Sequence, residues 1–246
     1  AVSVEPPGGS PFVVGGLDYA PLLRGLVSGE LDADRMDYLL RDSVCTGVNY
    51  GRFDLDWLVQ NMMPIARDGA VYLALAKTAI FAFEDFLLSR FHMFVSVYFH
   101  HTSVNFDEML RRFYAEEPEG FQIPADPELF VDCDDVALAW ALRGSKNRWA
   151  RRIASREPYK VIAQATELDR DYDLPALSAA LTAEGIEHFC NESLGSLSKY
   201  FAGGGGPPLY VVDQHAGSIV PIAEYTPLYQ RYAGALHLKR IYCLPE

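Results

Sequence analysis

The sequence predicts a mainly α chain, a helical front half followed by a small α+β subdomain, and three observations predict it. Residues 78–114 are apolar at helical spacing and contain neither Pro nor Gly. At residue 116 the composition changes to a Pro-rich, acidic connector, EEPEGFQIPADPELFVDCDD. Beyond it, short β-type runs (YKVIAQAT, LYVVD, SIVPI, LKRIYCLP) surround a single helical segment, LPALSAALTAEG. The expected division is therefore 1–116 and 117–246.

Taken in order, residues 1–16 are rich in Pro and Gly and read as a loop or a cut end. Asp18 to Val27 supports a short helix stopped by Gly29. DADRMDYLLRDS, residues 32–43, is strongly helical with an acidic first turn. FDLDWLVQNMM (53–63) is a helix with Asp54 as its cap. Asp68-Gly69 stands between two apolar runs, the signal of a β-hairpin. The stretch 78–114 reads as two consecutive helices broken near His101-Thr102. DDVALAWALRG and SKNRWARRIASRE are two more helices, with Asp134 capping the first. Gly203 to Gly206 lacks the GK[ST] of a phosphate loop and is read as a loop.

Composition narrows the function. Half of the 246 residues are apolar and 22% are charged, enough for a substantial core. With 21 Lys and Arg against 33 Asp and Glu, the net charge is −12, which argues against a surface that wraps nucleic acid throughout. Cys45, Cys133, Cys190 and Cys243 are far apart and form no CxxC pair, so a disulfide scaffold or zinc knuckle is not expected. No apolar run reaches membrane-spanning length and the first residues lack signal-peptide character, so a soluble, cytoplasmic chain is expected.

The chemistry concentrates in LDADRMDYLLRDS. On a helix, Asp34, Tyr38 and Asp42 stand at i, i+4 and i+8 along nearly one face. Arg35, Asp37 and Arg41 lie beside them. An acid, a cation and a phenol on adjoining faces can touch a metal, a phosphate and a sugar together. The same pattern also suits a solvated helix laced with Asp–Arg pairs. In LLSRFHMFVSVYFHHT, Arg90 interrupts an apolar helix and Tyr98 stands eight residues on. An arginine there must be paired or face a cavity, because burying it alone costs several kcal/mol.

DADRMDYLLRDS, then GVNYGRFDLDWLV, then SRFHMFVSVYFHHT, closely resembles the HD-domain phosphohydrolases, and most of all their deoxynucleotide triphosphohydrolase branch. The likeness is strong over 20–115 and continues weakly to the end of the chain. It implies a partial HD-domain helical bundle, 1–116, carrying the α+β subdomain. It also implies a divalent metal (Mg, Mn, Fe, Ni or Zn) and a nucleoside triphosphate substrate, cut to deoxynucleoside and triphosphate. By the resemblance Asp34 is a metal ligand turned inward, and Arg35 and Arg90 contact phosphates. Tyr38 and Asp42 flank the sugar, with Asp42 accepting from the 3′-hydroxyl. Tyr98 stacks on the deoxyribose and screens against a 2′-hydroxyl. A homo-oligomer, dimer or tetramer, is implied as well.

One departure from the family pattern matters. No His-Asp dipeptide occurs in the chain, and the first histidine is His92, after Asp34. The other metal ligands of the family are therefore expected on an N-terminal HD segment or a companion fragment. The alternative is a nucleotide-binding regulatory subunit or sensor. Adjacent His100 and His101 point about 100° apart on a helix and do not replace the doublet. Residues 143–160 hold seven Lys and Arg against one Glu. That basic segment reads as a solvated helix face or as an anion site. The resemblance places a regulatory nucleotide near Arg156 to Lys160, with Arg148 alongside, and nucleic acid is a further reading of the same patch.

Overall fold

The structure, a computed structural model, describes residues 11–166, 169, 173–196, 206–226 and 235–245. A two-stranded ribbon, β1 (Val13–Val14) and β2 (Leu17–Asp18), leads into α1 (Ala20–Ser28), which carries Pro21 in its first turn and stops at Gly29. In α2 (Ala33–Thr46) the Asp32 carboxylate accepts from the Arg35 amide at 2.8 Å, and Gly47 (φ 73°) closes the helix in the left-handed conformation. Asp54 caps α3 (Leu55–Gln60) through the Trp57 amide at 3.0 Å. That helix is shorter than its sequence suggests, because Met62 and Met63 belong to β3 (Met62–Arg67). β3 turns into β4 (Ala70–Ala76) through Asp68 and Gly69, both at positive φ (50° and 77°), as a two-residue hairpin requires.

After a 3₁₀ turn at Lys77–Ala79, α4 (Ile80–Met93) runs into a five-residue π turn, Phe94–Tyr98. The extended ψ of 133° at His100 breaks the helix where expected, and His100 caps α5 (His101–Glu116) by accepting from the Thr102 amide. The connector holds the single turn α6 (Pro127–Phe130). Asp134 then caps α7 (Asp135–Gly144) by accepting from the Ala137 amide at 2.9 Å. Asn147 caps α8 (Arg148–Ser155). The rest of the chain gives β5 (Lys160–Thr166), α9 (Leu174–Ala183), β6 (His188–Ser196), β7 (Tyr210–Asp213), β8 (Ser218–Pro221), α10 (Ile222–Tyr225) and β9 (Ala235–Cys243). Gly203–Gly205, Tyr229 and Tyr232 lie outside the described residues.

The chain is mainly helical with a smaller sheet portion, as the sequence predicts. It packs as two compact units, and neither is one continuous stretch: 1–97 with 195–236, and 98–194 with 237–246. α5 belongs to the second unit, and the late strands are shared between the two.

In the first unit the strand order is β1-β2-β4-β7-β8, and β3 also pairs with β4. β7 runs parallel to β4, with Ala74 opposite Tyr210. Lys77, just past β4, donates to the Asp213 carboxylate at 2.7 Å. Leu31, Leu39, Leu58, Leu75, Phe83 and Phe86 are fully buried in this unit.

In the second unit β9 lies between β5 and β6. Its core is aromatic. Trp149, Tyr159, Phe189 and Tyr242 follow one another at ring spacings of 5.7, 5.1 and 4.9 Å, packed with Met109, Phe113 and Leu142. Tyr159 donates to the Glu187 carboxylate at 2.8 Å, and burial together with that bond pushes its phenol up to about 12.

On α5, Glu108 is 7% exposed and accepts from Arg111 at 2.8 and 2.9 Å and from Arg112 at 2.8 Å. Burial raises the Glu108 carboxyl, but the bonds and charges of the two arginines outweigh it and hold the group below its ordinary value. The stability this supplies is complete above the unfolded value, about 4.3, and is lost as pH falls through the folded one. Glu108→Gln is expected to flatten the acid limb of the melting-temperature profile below about pH 4.3. A profile parallel to the native one would show that the fork contributes nothing.

Candidate functional site

The site begins in the turn between α1 and α2. Gly-Glu-Leu-Asp brings Glu30, Leu31 and Asp32 inside, so a buried carboxylate stands two residues before the cap of α2. The Glu30 side chain has no exposure, and two guanidiniums reach it. Arg35 approaches Glu30 Oε1 at 3.5 Å and Asp32 Oδ2 at 3.4 Å, while Arg90 of α4 donates to Glu30 Oε1 at 3.2 Å. Arg90 also lies over the Phe94 ring, 5.4 Å from its centre, and shares a hydrogen bond with the Tyr38 hydroxyl.

The energetics follow from burial. Desolvation lowers the pKa of Arg90, the neighbouring Arg35 charge lowers it further, and Glu30 opposes both. Burial raises the Tyr38 phenol against the pull of Arg90 and Arg35, so it stays protonated at neutral pH. A carboxylate between two guanidiniums is stable only while all three keep their places. The result is a clamp that sets α2 against α4.

The predicted residues divide on this clamp. Asp34, expected to turn inward, is exposed on the first turn of α2. Tyr38 is half-buried on the same helix and Asp42 is partly exposed, its carboxylate 3.6 Å from the Arg41 guanidinium. The i, i+4, i+8 face therefore exists, with its carboxylates outward and its phenol anchored. Arg35, expected on a triphosphate, is 5% exposed and held by Glu30 and Asp32. Arg90 is equally buried, and Glu30 and Tyr38 hold it. Both arginines are thus placed to orient α2.

Tyr98 falls in the second unit and lines a cleft of about 300 Å³ with Val104, Asp107, Arg111 and Asn191. In the basic segment, Arg148 pairs with Glu187 at 3.0 Å and Glu116 at 3.6 Å. Arg156 ends α8 at φ 57°, and Lys160 is exposed at the start of β5. The four cysteines are free thiols.

Glu30 is the residue that sequence reasoning missed. Arg90 called for a partner, but the only local signal for Glu30 is an acid between Gly29 and Leu31, two residues before a helix cap. A divalent metal centre needs several ligands at one point. Among the described residues no three His, Cys, Asp or Glu side chains gather to hold an ion. Asp34 offers one carboxylate, so the described residues do not form such a centre by themselves.

Residues 53–183 match the family described as HD associated region. An uncharacterized protein of Methanocaldococcus jannaschii is 38% identical over 135 residues, which cover 55% of this chain and 30% of that protein. The uncharacterized YwfO protein of Bacillus subtilis is 43% identical over 75 residues, 30% of this chain and 16% of its own length. The chain thus spans less than a third of either relative.

Two solved structures share the fold. A hypothetical protein from Aquifex aeolicus superposes with a TM-score of 0.70 at 24% identity, over 89% of this chain and 56% of its own. A phosphohydrolase from Bacteroides thetaiotaomicron gives 0.64 at 23% identity, over 93% and 65%. Among the described residues no helix is long and apolar enough to cross a membrane.

Proposed function

Because the chain belongs to the family of HD associated regions, we propose that it forms part of a nucleotide phosphohydrolase and supplies one wall of the site where the phosphates lie. The observation that carries this reading is the face of α2. Two carboxylates, Asp34 and Asp42, flank the anchored phenol of Tyr38 on a helix that the Glu30–Arg35–Arg90 clamp holds still. Preorganisation of this kind is what catalysis on a phosphate ester requires. The shared fold with a named phosphohydrolase supports it.

In the finer proposal the substrate is a deoxynucleoside triphosphate, released as deoxynucleoside and triphosphate. Asp34 is this chain's contribution to a divalent metal centre (Mg, Mn, Fe, Ni or Zn). The remaining ligands come from an N-terminal HD segment or a companion fragment. Asp42 accepts from the 3′-hydroxyl beside Tyr38. Arg90 and Arg35 act through position, the first by orienting Tyr38 and the second by fixing the start of α2. On the resemblance alone, Tyr98 screens against a 2′-hydroxyl, and Arg148, Arg156 and Lys160 form a regulatory anion site.

The test is a screen of deoxy- and ribonucleoside triphosphates with the complete protein, scored for released triphosphate. Deoxynucleotides are expected to be favoured, and Tyr98→Ala is expected to shrink that preference by about tenfold or more. An unchanged ratio would leave Tyr98 a packing residue.

A further inference from the structure

We propose that the second unit carries a hydrolytic site of its own, with Ser178 as the nucleophile and His188 as its base, for carboxylic esters that have an apolar acyl group. The proposal does not rest on the phosphate chemistry assigned to α2.

Two periods build the site. Leu174, Leu177 and Leu181 recur at i, i+3 and i+7 and seat α9 on Ala163, Ala165 and Ile241 of the sheet. Ser178, at i+4, falls on the same stripe and is half-buried. On β6, Phe189 enters the aromatic core, so its neighbours His188 and Cys190 face the other way, toward α9. There His188 Nε2 lies 2.8 Å from Ser178 Oγ, and His188 Nδ1 lies 2.9 Å from the Ile186 carbonyl oxygen. A carbonyl only accepts, so in the neutral ring Nδ1 carries the proton and Nε2 is left to accept from the serine hydroxyl. A hydroxyl, its base and a third group that orients the base stand in the order that makes a serine nucleophilic. The Cys190 thiol donates to Ser178 Oγ at 3.5 Å and helps to fix its position.

The space beside the hydroxyl selects the substrate. Ser178 and Cys190 line a cleft of about 600 Å³ whose apolar walls are Leu174, Pro175, Ala179 and Ile241. A second cleft of about 350 Å³ shares Leu174 and Pro175 with it, so an acyl chain has room to run along α9. At the rim Lys239 stands 3.4 Å from Glu192, and their charges cancel. The Arg240 guanidinium lies on the opposite face of the sheet with Tyr242, bonded to Gln164 at 2.8 Å. A phosphate would find no net cation in the cleft, whereas a neutral ester needs none. An alkoxide also leaves more readily than an amide nitrogen, so a dyad with no carboxylate behind its histidine favours esters over peptides.

In the reaction Ser178 Oγ attacks the ester carbonyl carbon while its proton passes to His188 Nε2. The C–O bond to the alcohol breaks, the leaving oxygen takes that proton, and the acyl group stays on Ser178. Water then adds to the acyl carbon and gives a proton to His188. The carboxylic acid departs, and the proton returns to Ser178 Oγ.

The test uses the full chain with two probes, p-nitrophenyl butyrate and an alkyl fluorophosphonate. The native chain is expected to release p-nitrophenol above the solution rate, with saturation, and to gain a single phosphonyl group on Ser178, located by mass spectrometry of its peptides. Ser178→Ala and His188→Ala, checked for native circular dichroism, are each expected to lower the ester rate by about 100-fold or more, the scale of a lost general base. Cys190→Ala should stay within a few-fold of native. Labelling of the native chain needs no variant, so a misfolded variant does not blunt the test. A native chain that is neither labelled nor active, or a label on another residue, would overturn the proposal. So would a Ser178→Ala chain that keeps the native rate, or a Cys190→Ala chain that loses it, since the thiol would then be the nucleophile.

Discussion

Replacing Glu30 with alanine is expected to destabilise the first unit by about 3–5 kcal/mol, the range found when one member of a buried ionic cluster is removed. The reason is what remains. Arg35 and Arg90 keep side chains only 6% and 7% exposed, and without the shared carboxylate each faces the other's charge in a poorly solvated place. Arg35 already depresses Arg90 with Glu30 present, so its removal uncovers a repulsion that exists in the native protein.

In a chain of this size each kcal/mol shifts the midpoint by about 2–4 °C, so the melting temperature should fall by about 6–20 °C. Asp37→Ala is the control. Its pair with Arg41, 3.6 Å apart between side chains 67% and 55% exposed, should contribute no more than about 0.5 kcal/mol. If the two variants melt alike, the clamp is not a clamp.

Asp34→Asn is expected to separate activity from stability in the opposite way. The side chain is exposed and the amide keeps its shape, so the melting temperature should move little. The loss of a negative charge from the first turn costs about 0.3–1 kcal/mol through the helix dipole. Turnover of nucleotide by the complete protein should fall by about 10–100-fold, the scale of loss when a group that holds a metal or its ligands is changed. Turnover within a few-fold of native would remove Asp34 from the chemistry.

The legible parts of this protein were those written in local signals. Asp54 and Asp134 mark helix starts because a short acid can satisfy free amides at any helix end. Asp68-Gly69 marks a hairpin because few residues accept positive φ in succession. The shared face of Asp34, Tyr38 and Asp42 follows from helical period alone.

The parts that were not legible depend on partners distant in the chain. β7 returns to lie parallel to β4, and nothing in Tyr210–Asp213 names that neighbour. Arg90 announced its need for a counter-charge, yet its partner is one glutamate in the turn before α2. Arg35 is buried beside Glu30 and Asp32, and nothing in its spacing on α2 names those two carboxylates as its partners. Period and spacing identified the helix face, but they did not show which of its charges point outward.

The most direct measurement is phosphorus NMR of the products formed from a deoxynucleoside triphosphate by the complete protein and by its Asp34→Ala variant. The native protein should release intact triphosphate, and the variant should release none while remaining folded. Nucleotide bound but left whole by the native protein, or the same triphosphate signal from both proteins, would contradict a carboxylate at residue 34 serving phosphate hydrolysis.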